Sequence, residues 1–302
     1  MIGPNSAGVA SLQPVPRGQV LAVTQDTLLE AVHFFAATPA FEVGYKSAAA
    51  NLSDLASMGA APAWLNVVVH GQSRQHITAT ASHAWLRSFE HGFTQACAGQ
   101  GILLTLATSP APALRITVVA GGHVPNAQAL RRDGGRVNDL LGVTGTLGDA
   151  GGALELLYAG TWEPHSQDHQ SLRARLDRPT PRLAAGIALR SIARAAMDIS
   201  DGLAGDIAHM MRDGLGAYID STSLPLSAEL VRVMGLQRAV ELALTAGDDY
   251  ELLLAVDPAH QHNAERTVRA TGTELTWIGH LTATGSVEID PAPGALRSYQ
   301  HF

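Results

Sequence analysis

The chain of 302 residues has one cysteine, Cys97, and one lysine, Lys46. A lone thiol has no internal partner, so no disulfide framework is available, and the chain reads as built for a reducing compartment. With a single lysine and no G-x-x-x-x-G-K-[ST] loop, any nucleotide handled here is held without a Walker A lysine. Charged residues make up only 16%, the formal net charge is −7, and no basic run occurs. That balance argues against nucleic acid or an anionic membrane as partner. No run of about 20 apolar residues is long enough for a membrane span. The stretch Met1 to Gly8 has no positive segment followed by an apolar one, so it does not read as a signal peptide. The expectation is a soluble cytoplasmic protein.

What is present is apolar content, 46% of residues, arranged in alternating patterns. Val20 to Thr24 reads as a short buried strand running into Gln25 and Asp26. Gly44 to Met58 has helical apolar spacing, ended by Gly59 with Pro62 beyond. Leu65 to Val69 reads as a strand, Ser82 to Gly99 as a helix and Arg115 to Ala120 as a strand, a layered unit of strands and helices. The polar segment Asn126 to Asp139 suggests a boundary, giving domains 1–130 and 131–302. Beyond it, the pattern predicts strands at Leu140 to Thr144 and Tyr250 to Val256, and a short extended piece at Leu275 to Gly279. Helices are predicted at Asp149 to Tyr158, Pro179 to Leu189 and Ser200 to Met211. Pro164 to Gln170 reads as a loop.

Four acidic clusters stand out: Asp26 after its strand, Asp54 on its helix, Asp198-Ile-Ser-Asp201 with Asp206 beyond, and Gly247-Asp248-Asp249. Singly, each has a structural reading as a cap, a turn or a solvated face. Together, beside apolar strands, they are what a hard cation shared with phosphate needs, because magnesium takes oxygen ligands and keeps several waters. Cys97 reads as packing. His165 and His169 lie in the proline-led loop, so their spacing is a weak zinc signal. His33, by itself, reads as a half-buried histidine with a backbone partner.

Several segments together resemble the thiamine-monophosphate kinases. They are Thr24-Gln-Asp-Thr-Leu-Leu-Glu-Ala-Val-His-Phe34, Gly44-Tyr-Lys46 with Asn51-Leu-Ser-Asp-Leu-Ala-Ser-Met-Gly59, Val143-Thr-Gly-Thr-Leu-Gly-Asp149, Arg178-Pro-Thr-Pro-Arg182, Asp198-Ile-Ser-Asp-Gly-Leu203, Gly247-Asp-Asp-Tyr-Glu-Leu252 and the terminal Tyr299-Gln-His-Phe302. The resemblance implies a two-domain aminoimidazole ribonucleotide synthetase-like fold. Its N-terminal α/β domain would bind ATP and metal and pair its sheet into a barrel across a homodimer, and its C-terminal domain would be α+β. It implies an ATP-dependent phosphotransferase that passes the γ-phosphate of ATP to thiamine monophosphate with Mg2+. By matched position, Asp26, Asp54, Asp198 and Asp201 would bind metal, with Thr24 and Gln25 adding backbone or side-chain oxygens, and Asp201 serving catalysis. Ser200, Arg132 and Thr108 would contact ATP, and His33, Asp249 and Tyr299 would contact thiamine monophosphate. Two motifs depart from the family pattern. Ile2-Gly-Pro-Asn-Ser-Ala7 lacks an Asp-Asp pair, and Leu106-Ala107-Thr108 stands where the family has Gly-Gly-Asp. These departures leave a second reading open, a relative that binds thiamine phosphate or nucleotide without turnover, and a third, a different phosphotransfer on the same fold.

Overall fold

A computed structural model describes residues 13–71, 79–109, 111, 113–212 and 214–292. The Ile2 to Ala7 segment and Tyr299 to Phe302 lie outside them. Two compact units are present: one up to Leu55 with Ala60–Ala127, the other Ala56–Gly59 with the chain from Gln128 on.

The first unit is built from β1 (Gln19–Leu29), α1 (Ala40–Ser57), β2 (Ala61–His70), α2 (Ala79–Ala96), β3 (Leu103–Ser109) and β4 (Arg115–Pro125). Its sheet runs β1-β4-β2-β3, antiparallel except for the parallel β2–β3 pair. Alternation along β1 turns Ala22, Thr24, Asp26 and Leu28 inward and leaves Leu21, Val23, Gln25, Thr27 and Leu29 outside. Strand β1 therefore runs through Asp26 and is half exposed, whereas the sequence pattern suggested a buried strand that stopped before it. The inner rows carry Leu65, Val67, Ile116, Val118 and Ala120, all buried. The two helices lie unusually close together. A Cβ on Gly44 would meet the Phe89 carbonyl oxygen at 2.1 Å, and one on Gly92 would meet that of Phe41 at 1.9 Å, so both positions need glycine. Residues Leu106 to Thr108 are extended, paired with Val67 to Val69. Here the chain with leucine and alanine continues a strand rather than turning as a glycine pair allows.

The second unit carries β5 (Leu140–Thr144), α3 (Asp149–Ala159), α4 (Gln167–Asp177), α5 (Leu183–Ala188), β6 (Ala193–Asp198), α6 (Leu203–Asp206), β7 (Gly216–Asp220), α7 (Ala228–Met234), α8 (Leu236–Thr245), β8 (Leu252–Val256), α9 (Gln261–Arg269), β9 (Leu275–Thr282) and β10 (Val287–Asp290). Its sheet order is β10-β7-β9-β5-β8-β6. All five residues of β8 are buried, as expected of a strand covered on both faces. One core joins the sheet to α6 and α8 through Leu141, Leu203, Ala243 and Leu253. A second joins α3, α4, α7 and α8 through Ala153, Leu172, Leu230 and Leu242. Helix α4 begins at Gln167 with Ser166 as its cap, inside the segment read as a loop. His169 lies in that helix, and its Nδ1 accepts the Glu163 N–H at 3.1 Å. The helix expected over Ser200 to Met211 is only α6 and a following tight turn, because the residues before Leu203 are used otherwise, as described below. Neither sheet closes on itself. No helix among the described residues is long and apolar enough to cross a membrane.

Candidate active site

In the first unit the fold brings two of the proposed ligands into contact: the Thr24 hydroxyl donates to the Asp54 carboxylate of α1. Asp26 stands two residues along the same inward face of β1. Gln25 stands on the opposite face, so its side chain does not join them. Thr108 shares the inward face, in the row Leu28–Ile116–Val69–Thr108. It is exposed and three strand spacings from β1, roughly 14 Å. After β1 the chain turns tightly. The Leu29 N–H donates to His33 Nδ1 at 2.9 Å, and the His33 N–H returns to the Leu29 carbonyl at 2.9 Å. An accepting Nδ1 places the ring proton of neutral His33 on Nε2. Lys46, 4% exposed, donates to the His33 carbonyl at 3.4 Å. The sequence showed it as the single lysine and as part of the Gly44-Tyr-Lys46 motif; the structure adds a hydrogen bond from α1 to the His33 turn.

In the second unit Asp198 ends β6, and the next residues form a turn gripped on both sides. The N–H groups of Ser200 and Asp201 donate to one oxygen of Asp206, each at 2.9 Å. The carbonyls of Ile199 and Ser200 accept from Tyr250 N–H at 2.8 Å and Asp248 N–H at 2.9 Å. Gly247 makes this approach possible, since a Cβ there would stand 2.3 Å from the Ser200 oxygen. Asp248 and Tyr250 have φ of 70° and 51°, a conformation side chains adopt at a cost of about 1–3 kcal/mol and one that clusters at functional sites. Asp198, Ser200, Asp201 and Asp248 are half-buried around this turn. Burial, reinforced by the charges of Asp201 and Asp198, pushes the Asp206 carboxyl up to about 7 against the two amides that hold it down.

Asp249 points elsewhere. It is 2% exposed, and both its oxygens lie 3.0 Å from the Gly148 N–H; burial raises its carboxyl well above the usual range. Beside it, fully buried Glu251 accepts from Thr144 at 2.7 Å, Arg175 at 2.7 Å and Arg182 at 2.6 and 2.5 Å. Asp149 accepts from Thr146 at 2.6 Å and Ser227 at 2.5 Å. The Val143 to Asp149, Arg178 to Arg182 and Glu251 motifs are thus one interior network that sets the Gly145 to Gly148 turn. Arg132 is exposed, next to Arg131, which pairs with Asp133 at 2.9 Å. Tyr299 lies outside the described residues.

Among the described residues no three of His, Cys, Asp and Glu gather as a metal cage. The donors present fit a different arrangement, a magnesium ion held by one or two carboxylates and completed by water and phosphate oxygens.

Comparison with known proteins follows the same outline. The N-terminal domain family of AIR synthase related proteins matches residues 5–124. The thiamine-monophosphate kinase of Escherichia coli K12 is 34% identical over 298 residues, covering 97% of this chain and 90% of that one. The crystal structure of thiamine-monophosphate kinase from Stenotrophomonas maltophilia K279a superposes with a TM-score of 0.87 at 38% identity, covering 94% of this chain and 89% of that one. The structure of AaThiL complexed with AMPPCP and TMP superposes with a TM-score of 0.82 at 28% identity, covering 95% and 89%. With relatives this similar over nearly its whole length, the chain belongs to the thiamine-monophosphate kinase family.

Proposed function

We propose that this protein phosphorylates thiamine monophosphate with ATP to give thiamine diphosphate. The observation that carries the reading is identity of 34% with a thiamine-monophosphate kinase across 97% of the chain, together with a relative solved in complex with AMPPCP and TMP. An oxygen of the thiamine monophosphate phosphate attacks the γ-phosphorus of ATP. One P–O bond forms there, the bond from that phosphorus to the β-phosphate oxygen breaks, and ADP leaves with the electron pair. Such a transfer asks for in-line placement and charge neutralisation more than covalent help. Magnesium, when bound, supplies part of that neutralisation. Asp26 and Asp54, with the Thr24 hydroxyl, would hold magnesium in the first unit, and Asp198 and Asp201 would hold magnesium in the second. Ser200 and Arg132 would meet ATP, the guanidinium fork of Arg132 matching phosphate oxygens. His33 and Tyr299 would contact thiamine monophosphate, with Asp249 acting through the Gly148 turn it holds. The outer sheet face of the first unit, with Leu21, Val23, Leu29 and Leu103 exposed, suits pairing with a second copy of the chain. The cytoplasm, where ATP is available and a lone thiol stays reduced, suits the activity.

A second reading, binding without turnover, has one structural argument: β3 runs straight through the Leu106 to Thr108 positions, so no glycine loop is present there to approach a phosphate. The two readings separate in one assay. Purified protein, ATP, excess magnesium and thiamine monophosphate should yield thiamine diphosphate, and Asp201→Asn should slow its formation by about 100-fold. Absence of product, with calorimetric binding of thiamine monophosphate retained, would establish the second reading instead.

A further inference from the structure

Asp206 has no part in the ligand sets above, yet its carboxylate is the hub of the turn that carries them. We propose that Asp206 is a positioning residue for phosphoryl transfer, one that fixes the Ser200–Asp201 backbone so that Asp198, Ser200 and Asp201 are presented to the nucleotide and its cation. The proposal rests on the kinase reading. Asp206 is 3% exposed, so it acts from beneath the turn. A single oxygen, Oδ2, takes both the Ser200 and the Asp201 N–H at 2.9 Å. Its own N–H returns to the Gly202 carbonyl at 2.9 Å, closing a ring of hydrogen bonds. Gly202 has φ of 98°, and a Cβ on it would stand 2.8 Å from the Thr245 carbonyl carbon, so the turn cannot relax outward through that residue. With Asp248 and Tyr250 holding the carbonyls on the other side, Asp206 is the clamp on the amide side. Misplacing a reacting group by about 1 Å costs on the order of 100-fold in rate.

Because both bonds end on one oxygen, the amide oxygen of asparagine can replace it. Asp206→Asn should stay within about threefold of wild type in every kinetic constant. Asp206→Ala should raise the KM for ATP and lower kcat/KM by about 10- to 100-fold while the KM for thiamine monophosphate moves less than about twofold. Hydrogen exchange at the Ser200 and Asp201 amides should speed up in Asp206→Ala and stay slow in Asp206→Asn. A folded alanine variant with wild-type ATP kinetics and unchanged exchange overturns the proposal. So does an asparagine variant as impaired as alanine, since the charge would then be what matters. If alanine does not fold, Asp206→Glu keeps the charge and displaces the oxygen by one methylene; impaired ATP kinetics support positioning, and wild-type kinetics overturn it. Should the wild type make no thiamine diphosphate, the kinase reading fails on that result alone. Amide exchange, which needs no turnover, still decides whether Asp206 holds the turn.

Discussion

Glu251 and Asp206 are both buried acids of the second unit, and the protein holds them in opposite ways. Glu251 is wrapped by two guanidinium groups and a threonine hydroxyl, so the chain itself neutralises it. Asp206 receives backbone amides, and its charged neighbours are the acids Asp201 and Asp198. The first arrangement is finished and asks for nothing from outside. The second gathers three acids, Asp198, Asp201 and Asp206, around one turn. Perturbed protonation in a group of like charges is one mark of a functional site. The contrast sets the acid that ties the family motifs into the unit apart from the acids proposed to serve chemistry.

The contrast breaks first at Glu251. Glu251→Ala removes the carboxylate that Arg175 and Arg182 share and should cost about 3–5 kcal/mol, seen as a lower midpoint in urea at an unchanged slope. Asp201→Asn should do the reverse. It should lower kcat/KM by about 100-fold while the melting temperature holds or rises, because a like charge beside Asp206 is removed. A clear drop in melting temperature would place Asp201 with the structural acids. The two faces of β1 extend the comparison. Val23→Glu on the outer face should change the stability of a single chain by no more than about 0.5 kcal/mol and, on the proposal that this face pairs two copies, shift sedimentation toward monomer; a sedimentation profile identical to wild type would remove that face as the pairing surface. Cys97 is the limiting case, a titratable group with burial alone as the cause of its shift. Burial pushes its thiol from 9.0 up to about 12. The folded value lies above the unfolded one, so below about pH 9 nothing changes. From there to about pH 12 the unfolded chain releases a proton the folded one keeps, and stability falls. Native protein at pH 8 should resist iodoacetamide, and denatured protein should react fully. Rapid native labelling would show that the thiol is not sealed.

Long apolar periods ended by glycine were readable: α1 ends before Gly59 as read, though it begins at Ala40, four residues ahead of Gly44. The length of β1 was not, because its outward residues Gln25 and Thr27 look like loop chemistry until the sheet pairs them with Val119 and Thr117. Helices α7 and α8 and strand β6 escaped because they are short and owe their place to packing. Of the site, the contact of Thr24 with Asp54 was legible only through family resemblance, since nothing in a sequence says that a strand hydroxyl meets a helix carboxylate 30 residues away. That Gln25 faces away from its neighbours follows from the two-residue period of a strand and needed only that the strand be drawn longer. The grip of Asp206 on two amides had no signature beyond its spacing, because backbone partners leave no trace in side-chain patterns.

Strand β1 uses odd positions for an apolar surface and even positions for Thr24 and Asp26. A deletion of one residue after Gly18 would exchange the two sets, burying Val23 and Gln25 against α1 and turning the acid toward the outer face. The same slip would spoil assembly and chemistry together, and no side-chain replacement elsewhere could restore both. For this strand, sequence drift is confined to substitution: insertions and deletions of an odd number are closed to it, whatever latitude the individual residues have.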